Sequence, residues 1–196
     1  QIHPKPKRER SRQGDRDENG AHEPDLPAAE EESSAEPPGK RLYLDPEKRI
    51  CVDVAGETLT IPAEVNLRKS IIEVALVSTY SPDCRSHESS FVTDVQPSLV
   101  HAGLELIGLK PGKPVEYDGQ SKLPEGDGVL ITVRWKDPET GEMKSSRLEH
   151  LIYNRLTDEK VDDIQWIFTG SRMITIGREE KRTVYFADIE GTLIAT

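Results

Sequence analysis

Leu42 to Leu44, and then Ile50, Val52 and Val54, are short apolar runs on either side of Asp45-Pro46-Glu47-Lys48, a pattern that predicts a strand, a turn and a second strand. In the second arm the three aliphatic residues share one face, leaving Cys51 and Asp53 on the other. Leu59 and Ile61 continue the alternation until Pro62 interrupts it. Ile71, Ile72, Val74, Leu76 and Val77 form the most apolar stretch and predict a central strand. Tyr80 to Ser90 is polar, carries Pro82 and reads as a long loop. Phe91 to Val95 then lead into the clearest helix. Pro97 suits its first position, where the missing N–H costs nothing, and Gly108 followed by Pro111 ends it, giving a helix over about 97–108. On a helical wheel Leu99, Val100, Gly103, Leu104, Leu106 and Ile107 fall on one arc, and Ser98, His101 and Glu105 on the other. Gly103 in the apolar arc predicts a close approach to a sheet, at roughly 1 kcal/mol of lost helix propensity.

Lys110 to Gly128 is rich in Gly and Pro and predicts a connector with a short strand at 115–117. Val129, Ile131 and Val133 alternate with Leu130, Thr132 and Arg134 up to Trp135, and Asp137-Pro138-Glu139-Thr140-Gly141 turns the chain into a second hairpin. Ser146-x-x-Glu149 resembles a capping box before Leu148, Leu151 and Ile152 and predicts a short helix, an edge strand being the alternative. Trp166 to Phe168, Met173 to Ile176, Thr183 to Phe186 and Ile189 to Ile194 supply the last strands. One clear helix, many strands and no regular βαβ alternation predict an α+β fold, a mainly antiparallel sheet with the 97–108 helix packed on it. A β-sandwich with an added helix is the alternative.

Composition changes this picture most at the N-terminus. Between Gln1 and Lys40 the only Val, Ile, Leu or aromatic residues are Ile2 and Leu26, and six of the chain's 14 prolines fall there. That segment buries too little apolar surface to offset its ordering entropy, so residues 1–40 are predicted to be a disordered, charged, Pro-rich leader and 41–196 a single domain. With 26 Lys and Arg against 36 Asp and Glu, a net charge of -10 argues against nucleic-acid binding, which needs a basic surface. No run of about 18 apolar residues is present to span a bilayer. Two cysteines are too few for a disulfide-built miniprotein or an all-cysteine zinc site. A hydrophilic Pro-rich leader starting at Gln1 suits a mature extracytoplasmic protein, so export to the periplasm or cell envelope is expected.

Several strings carry a family likeness. His87-Glu88-Ser89, Val92-Thr93-Asp94-Val95 with Pro97-Ser98-x-Val100-His101-Ala102, Leu106-Ile107-Gly108 with Pro111-Gly112-x-Pro114-Val115, Trp166-Ile167-Phe168-Thr169-Gly170-Ser171, and Asp188-x-Glu190-Gly191-Thr192-Leu193-Ile194 resemble the YdjY-domain family of bacterial proteins. The resemblance runs from about Arg49 onward and excludes the leader. It implies a bacterial, exported single domain and assigns no catalytic residue.

The densest reactive cluster is Cys84-x-x-His87-Glu88 on the polar loop. Thiolate, imidazole and carboxylate are all zinc ligands, and His101 would be the fourth. A closed zinc site normally has two Cys/His pairs, however, so the better expectation is a solvated loop and no cofactor. As an enzyme, Cys84 would be the nucleophile: Arg85 and a His87 imidazolium would lower its thiol pKa, while Asp83 and Glu88 would raise it. In an oxidising compartment Cys51 and Cys84 could instead form a disulfide tying the loop to the first hairpin. His101 and Glu105, four apart, can pair on the helix face. His150 reads as structural, and Trp166 and Phe168 as core. Thr169-Gly170-Ser171-Arg172 reads as a turn whose amides could hold an anion. The leading expectation is a non-enzymatic binding or interaction module for an unidentified protein or small ligand. Its surface would combine Cys84, His87 and Glu88 of the 80–94 loop with His101, Glu105, Thr169, Ser171 and Arg172. The alternative is a thiol- or metal-dependent enzyme centred on Cys84 and His87.

Overall fold

Alternation in the first hairpin becomes burial on one side only: Ile50 and Val52 are fully buried while Val54 is 44% exposed, beyond the end of the strand. The computed structural model describes residues 2–4, 41–45, 47, 50–114, 123–154, 156–157 and 159–196. Its strands are β1 (Ile2–Pro4), β2 (Arg41–Tyr43), β3 (Cys51–Asp53), β4 (Thr58–Thr60), β5 (Glu64–Val65), β6 (Val74–Ser78), β7 (Ser89–Thr93), β8 (Asp127–Lys136), β9 (Met143–Arg147), β10 (Tyr153–Asn154), β11 (Glu159–Lys160), β12 (Trp166–Phe168), β13 (Met173–Ile176), β14 (Arg182–Tyr185) and β15 (Thr192–Ala195). Helix α1 is Pro97–Leu106, and α2 is a single turn at Ala187–Glu190. The predicted strand at 115–117 and most of the predicted leader lie outside the described residues.

A larger sheet runs in the order β12-β8-β1-β4-β3-β2, with β9 also on β8, and a smaller one runs β15-β6-β7-β5. Two ribbons, β10-β11 and β13-β14, complete the set. Every described pairing is antiparallel except β6 with β7, so the fold is α+β with one principal helix. As the pattern predicted, the most apolar stretch is an inner strand: all five residues of β6 are buried between β15 and β7. Ile71, by contrast, precedes the strand and is 67% exposed.

Helix α1 lies between the sheets. Val100, Leu104 and Ile107 share one core with Leu59 of β4, Ala75 of β6, Ile131 of β8 and Phe168 of β12. Gly103 makes the close approach expected of it, since a Cβ there would sit 2.8 Å from Leu59 Cδ1. No described helix is long and apolar enough to cross a membrane.

Three local expectations change. Ile2–Pro4 form a strand in the larger sheet, whereas composition placed them in a disordered leader. Composition weighs only side-chain burial, and here the backbone is recruited by the facing edges of β4 and β8. Ser146 lies inside β9, and no side chain caps the short 3-10 turn that follows at Glu149–Leu151. Glu149 is instead a fully buried carboxylate, accepting a 3.0 Å hydrogen bond from Trp166 Nε1 and ion-paired with Arg147. Burial alone would raise its pKa, but the Trp166 indole, its own backbone N–H and Arg147 together hold it below the ordinary carboxylate value. Arg147 also meets Asp163 at 2.8 Å, and His150 contacts the same carboxylate at 2.7 Å, which gives that histidine its structural partner. Finally, Ile189 belongs to the α2 turn rather than to the last strand, because Gly191, at φ +88°, stops the turn and starts β15.

Candidate functional site

The Cys84 loop is built to hold itself in place. After β6 the chain folds back on the α2 region: Ser81 Oγ donates to Ala187 O at 3.1 Å, and Ser78 N–H donates to Gly191 O at 2.8 Å. Cys84 is half-buried against this turn, its Cβ only 3.0 Å from where a side chain on Gly191 would begin. The charged neighbours pair with one another. Arg85 reaches Glu88 at 3.2 Å and Glu73 at 3.3 Å, and His87 Nε2 lies 3.2 Å from Glu88 Oε1 with its ring largely in solvent. Among the described residues no hydrogen bond joins the Cys84 thiol to His87, and no group of three or more His, Cys, Asp or Glu side chains is arranged to hold a metal ion. Cys51, on β3, and Cys84 are both free thiols, so the disulfide considered from sequence is not formed.

On the other side of α2 the same turn organises helix α1. Gln96 is the N-cap but makes no side-chain cap bond. Asp188 does this from a distance of 90 residues in sequence, accepting from Ser98 N–H and Ser98 Oγ at 2.8 Å each, and from Gln96 Nε2 at 2.9 Å. A carboxylate on otherwise unpaired first-turn amides is stabilised by the helix dipole as well as by the hydrogen bonds.

His101, one turn along, does not face solvent as the helical wheel implied. The β13-β14 ribbon covers it: the imidazole keeps 22% side-chain exposure, with ring centroids 5.1 Å from Phe168 and 5.3 Å from Tyr185. Tyr185 Oη lies 3.0 Å from His101 Nδ1, and His101 Nε2 lies 3.5 Å from Glu105 Oε2. Burial pushes the Tyr185 phenol up to about 12, opposed by the Ser171 backbone N–H and reinforced by the Asp188 and Glu105 charges. In the Nε2–H tautomer the phenol donates to Nδ1 and the imidazole hydrogen faces Glu105. The contacts form a chain from Ser171 N–H through Tyr185 and His101 to Glu105. Gly170, at φ +69°, is the residue that permits the turn to come so close, since a Cβ there would meet His101 Cε1 at 3.2 Å.

Two concavities meet at Tyr185. A small one of about 100 Å³ lies among α1, Phe168, Thr169, Ser171 and Tyr185. A wider groove of about 530 Å³ runs between the start of the 80–94 loop and the β13-β14 ribbon, lined by Tyr80, Pro82, Met173, Arg182, Tyr185 and Asp188. Of the residues singled out from sequence, His101, Glu105, Thr169 and Ser171 are therefore brought together. Arg172 stands beside them with its guanidinium 4.8 Å over the Phe186 ring. Cys84, His87 and Glu88 line neither concavity; their loop contributes Tyr80 and Pro82 instead. Tyr80, Tyr185 and Arg182 carried no sequence signal of their own. Asp188 did, as part of a familiar string, but nothing local links it to Ser98.

Fold and site together define a two-sheet α+β domain whose single principal helix is capped by a distant carboxylate. The chain belongs to the YdjY-domain family: the family model described as YdjY domain matches residues 50–193. No curated protein and no solved structure matches the chain.

Proposed function

We propose that this YdjY-family chain is an extracytoplasmic binding module whose ligand surface is the Tyr185 corner and the groove beside it. The supporting observation is the shared position of Tyr185 on both concavities, with its hydroxyl 3.0 Å from His101 Nδ1. The groove wall adds Tyr80 at 52% and Met173 at 61% exposure, large apolar surfaces standing next to the Arg182 guanidinium. The groove also holds the Asp188 carboxylate, but its oxygens are taken up by Ser98 and Gln96, so apolar walls beside the Arg182 cation favour an apolar group bearing an anionic head. A thiol- or metal-dependent reaction at Cys84 and His87 would need these side chains to converge, whereas His87 pairs with Glu88 and the Cys84 side chain packs against Gly191.

The test is an amide-detected NMR titration with indole-3-acetate as probe. Saturable shifts centred on Tyr80, Met173 and Arg182–Tyr185, lost in Arg182→Ala, are the expected outcome. Shifts scattered over the surface, or unchanged by Arg182→Ala, would refute the groove. The extracytoplasmic placement rests on the composition of the leader and is tested separately, by whether osmotic shock of intact bacteria releases the native protein.

A further inference from the structure

β1 comes from far upstream, yet it enters the larger sheet between β8 and β4 rather than at an edge. It is antiparallel to both: Ile2 stands opposite Ile131 and Leu59, His3 opposite Leu130, and Pro4 opposite Val129. Without it, β4 and β8 would face each other across the width of one strand, about 9–10 Å, each with a bare backbone edge. Their outer edges are already taken. β3 pairs along β4, and β12 and Leu148 pair along β8, where Leu148 N–H donates to Ile131 O at 3.0 Å.

The register assigns the bonds. N–H and C=O of one strand residue point the same way, so Ile131, turned towards Leu148, leaves Leu130 turned towards His3. His3 is thus the residue that exchanges ladder hydrogen bonds with β8. Pro4, which has no N–H, stands opposite Val129, where its missing donor breaks no bond to β8. The hold is short: three residue pairs to β8 and one to β4, against five between β8 and β9.

The family match gives a second, independent observation. Residues 50–193 contain β4 and β8, so both walls of the slot lie in the shared domain, while β1 lies outside the matched span. Residues 5–40 separate that strand from β2.

We propose that the β4-β8 slot is a strand-acceptor site, with residues 2–4 of this chain as its releasable occupant, and that it takes the same aliphatic-x-Pro segment in trans by β-augmentation. This site is separate from the groove and independent of what the groove binds.

Two measurements on the full chain test it. In hydrogen exchange, the Leu130 amide, which faces β1, is expected to exchange at least about tenfold faster than the Val133 amide, which faces β9. His3→Pro removes the one amide that pairs with Leu130; the variant is expected to stay folded by circular dichroism while Leu130 loses its remaining protection. A free peptide with the sequence of residues 1–8 should then shift the Leu130 and Leu59 cross-peaks of His3→Pro, shift those of the native chain far less at the same concentration, and do neither when it carries His3→Pro itself. Equal protection of Leu130 and Val133 would overturn the proposal. So would unfolding of His3→Pro, which would make β1 integral rather than releasable, or a peptide that leaves Leu130 unmoved.

Discussion

Two polar clusters lie on opposite sides of the α2 turn, and they differ in what their polar atoms face. In the Cys84 loop the side chains answer one another: Arg85 meets Glu73 and Glu88, His87 meets Glu88, and Cys84 backs onto Gly191. At the His101 corner the atoms form a line between two cavities, from the Ser171 backbone through Tyr185 and His101 to Glu105. The first cluster is dense in sequence and closed in space. The second is scattered over 85 positions of sequence, from 101 to 185, and assembled only by the fold. Density of reactive residue types along a chain is therefore a poor guide to a site, because neighbours in a loop are also each other's cheapest partners. Groups from separate elements meet only where the packing of whole elements holds them, and that packing also shapes a cavity.

The sharpest way to break the contrast is through Asp188, which joins the two regions. Asp188→Ala deletes three charge-assisted contacts to the start of α1 and is expected to cost about 2–3 kcal/mol in urea unfolding. A loss under about 0.5 kcal/mol would mean that α1 is positioned by its apolar face alone. Next comes Gly191→Ala. It places a Cβ 2.8 Å from Ser78 O at a positive φ, and a loss of about 2 kcal/mol is expected. An innocuous Gly191→Ala would show that the Cys84 turn is free to move, and would reopen the loop as a site.

Tyr185→Phe is expected to cost about 1 kcal/mol, measured the same way at neutral pH. Its pH dependence is more telling. The Tyr185 pKa is raised from 10.0 to about 12 in the folded chain, so its contribution to stability is complete below pH 10 and is lost as pH rises from there through 12. Unfolding followed across that window should show a decline in the native protein that Tyr185→Phe lacks in part; identical decline in both would place the phenol in solvent. The smallest effect belongs to His87→Ala. Its ring is 73% exposed and its ionic partner among the described residues is the half-buried Glu88 carboxylate, so a change within about 0.5 kcal/mol and an unaltered rate of Cys84 alkylation are expected. A slower alkylation would restore the thiol–imidazole pair.

Much of the fold was legible because it rests on short-range periodicity. The helix predicted at 97–108 is α1 at Pro97–Leu106, the two predicted hairpins (β2-β3 and β8-β9) and the inner strand β6 stand where the apolar pattern placed them, and Gly103 lies against Leu59. Expectation and structure part where a partner comes from far along the chain. His101 lay on the polar arc by helical wheel, but a wheel has no knowledge of the ribbon that covers it. Glu149 had the spacing of a capping acid, yet its hydrogen bond comes from Trp166, beyond the next two strands. Ile2–Pro4 had the composition of disorder, and a backbone slot overrides composition.

The sequence by itself determined the family, the α+β class, the boundaries of the principal helix and the faces of most strands, because apolar spacing and Gly/Pro punctuation act over a few residues and depend on no distant partner. Only the tertiary structure decided which polar groups meet. It capped α1 with Asp188, set Tyr185 against His101, turned Cys84 towards Gly191 and placed residues 2–4 between β4 and β8. Hydrogen bonds and close contacts act over about 3 Å, and a chain that folds back on itself brings residues within that range in ways that no local pattern encodes.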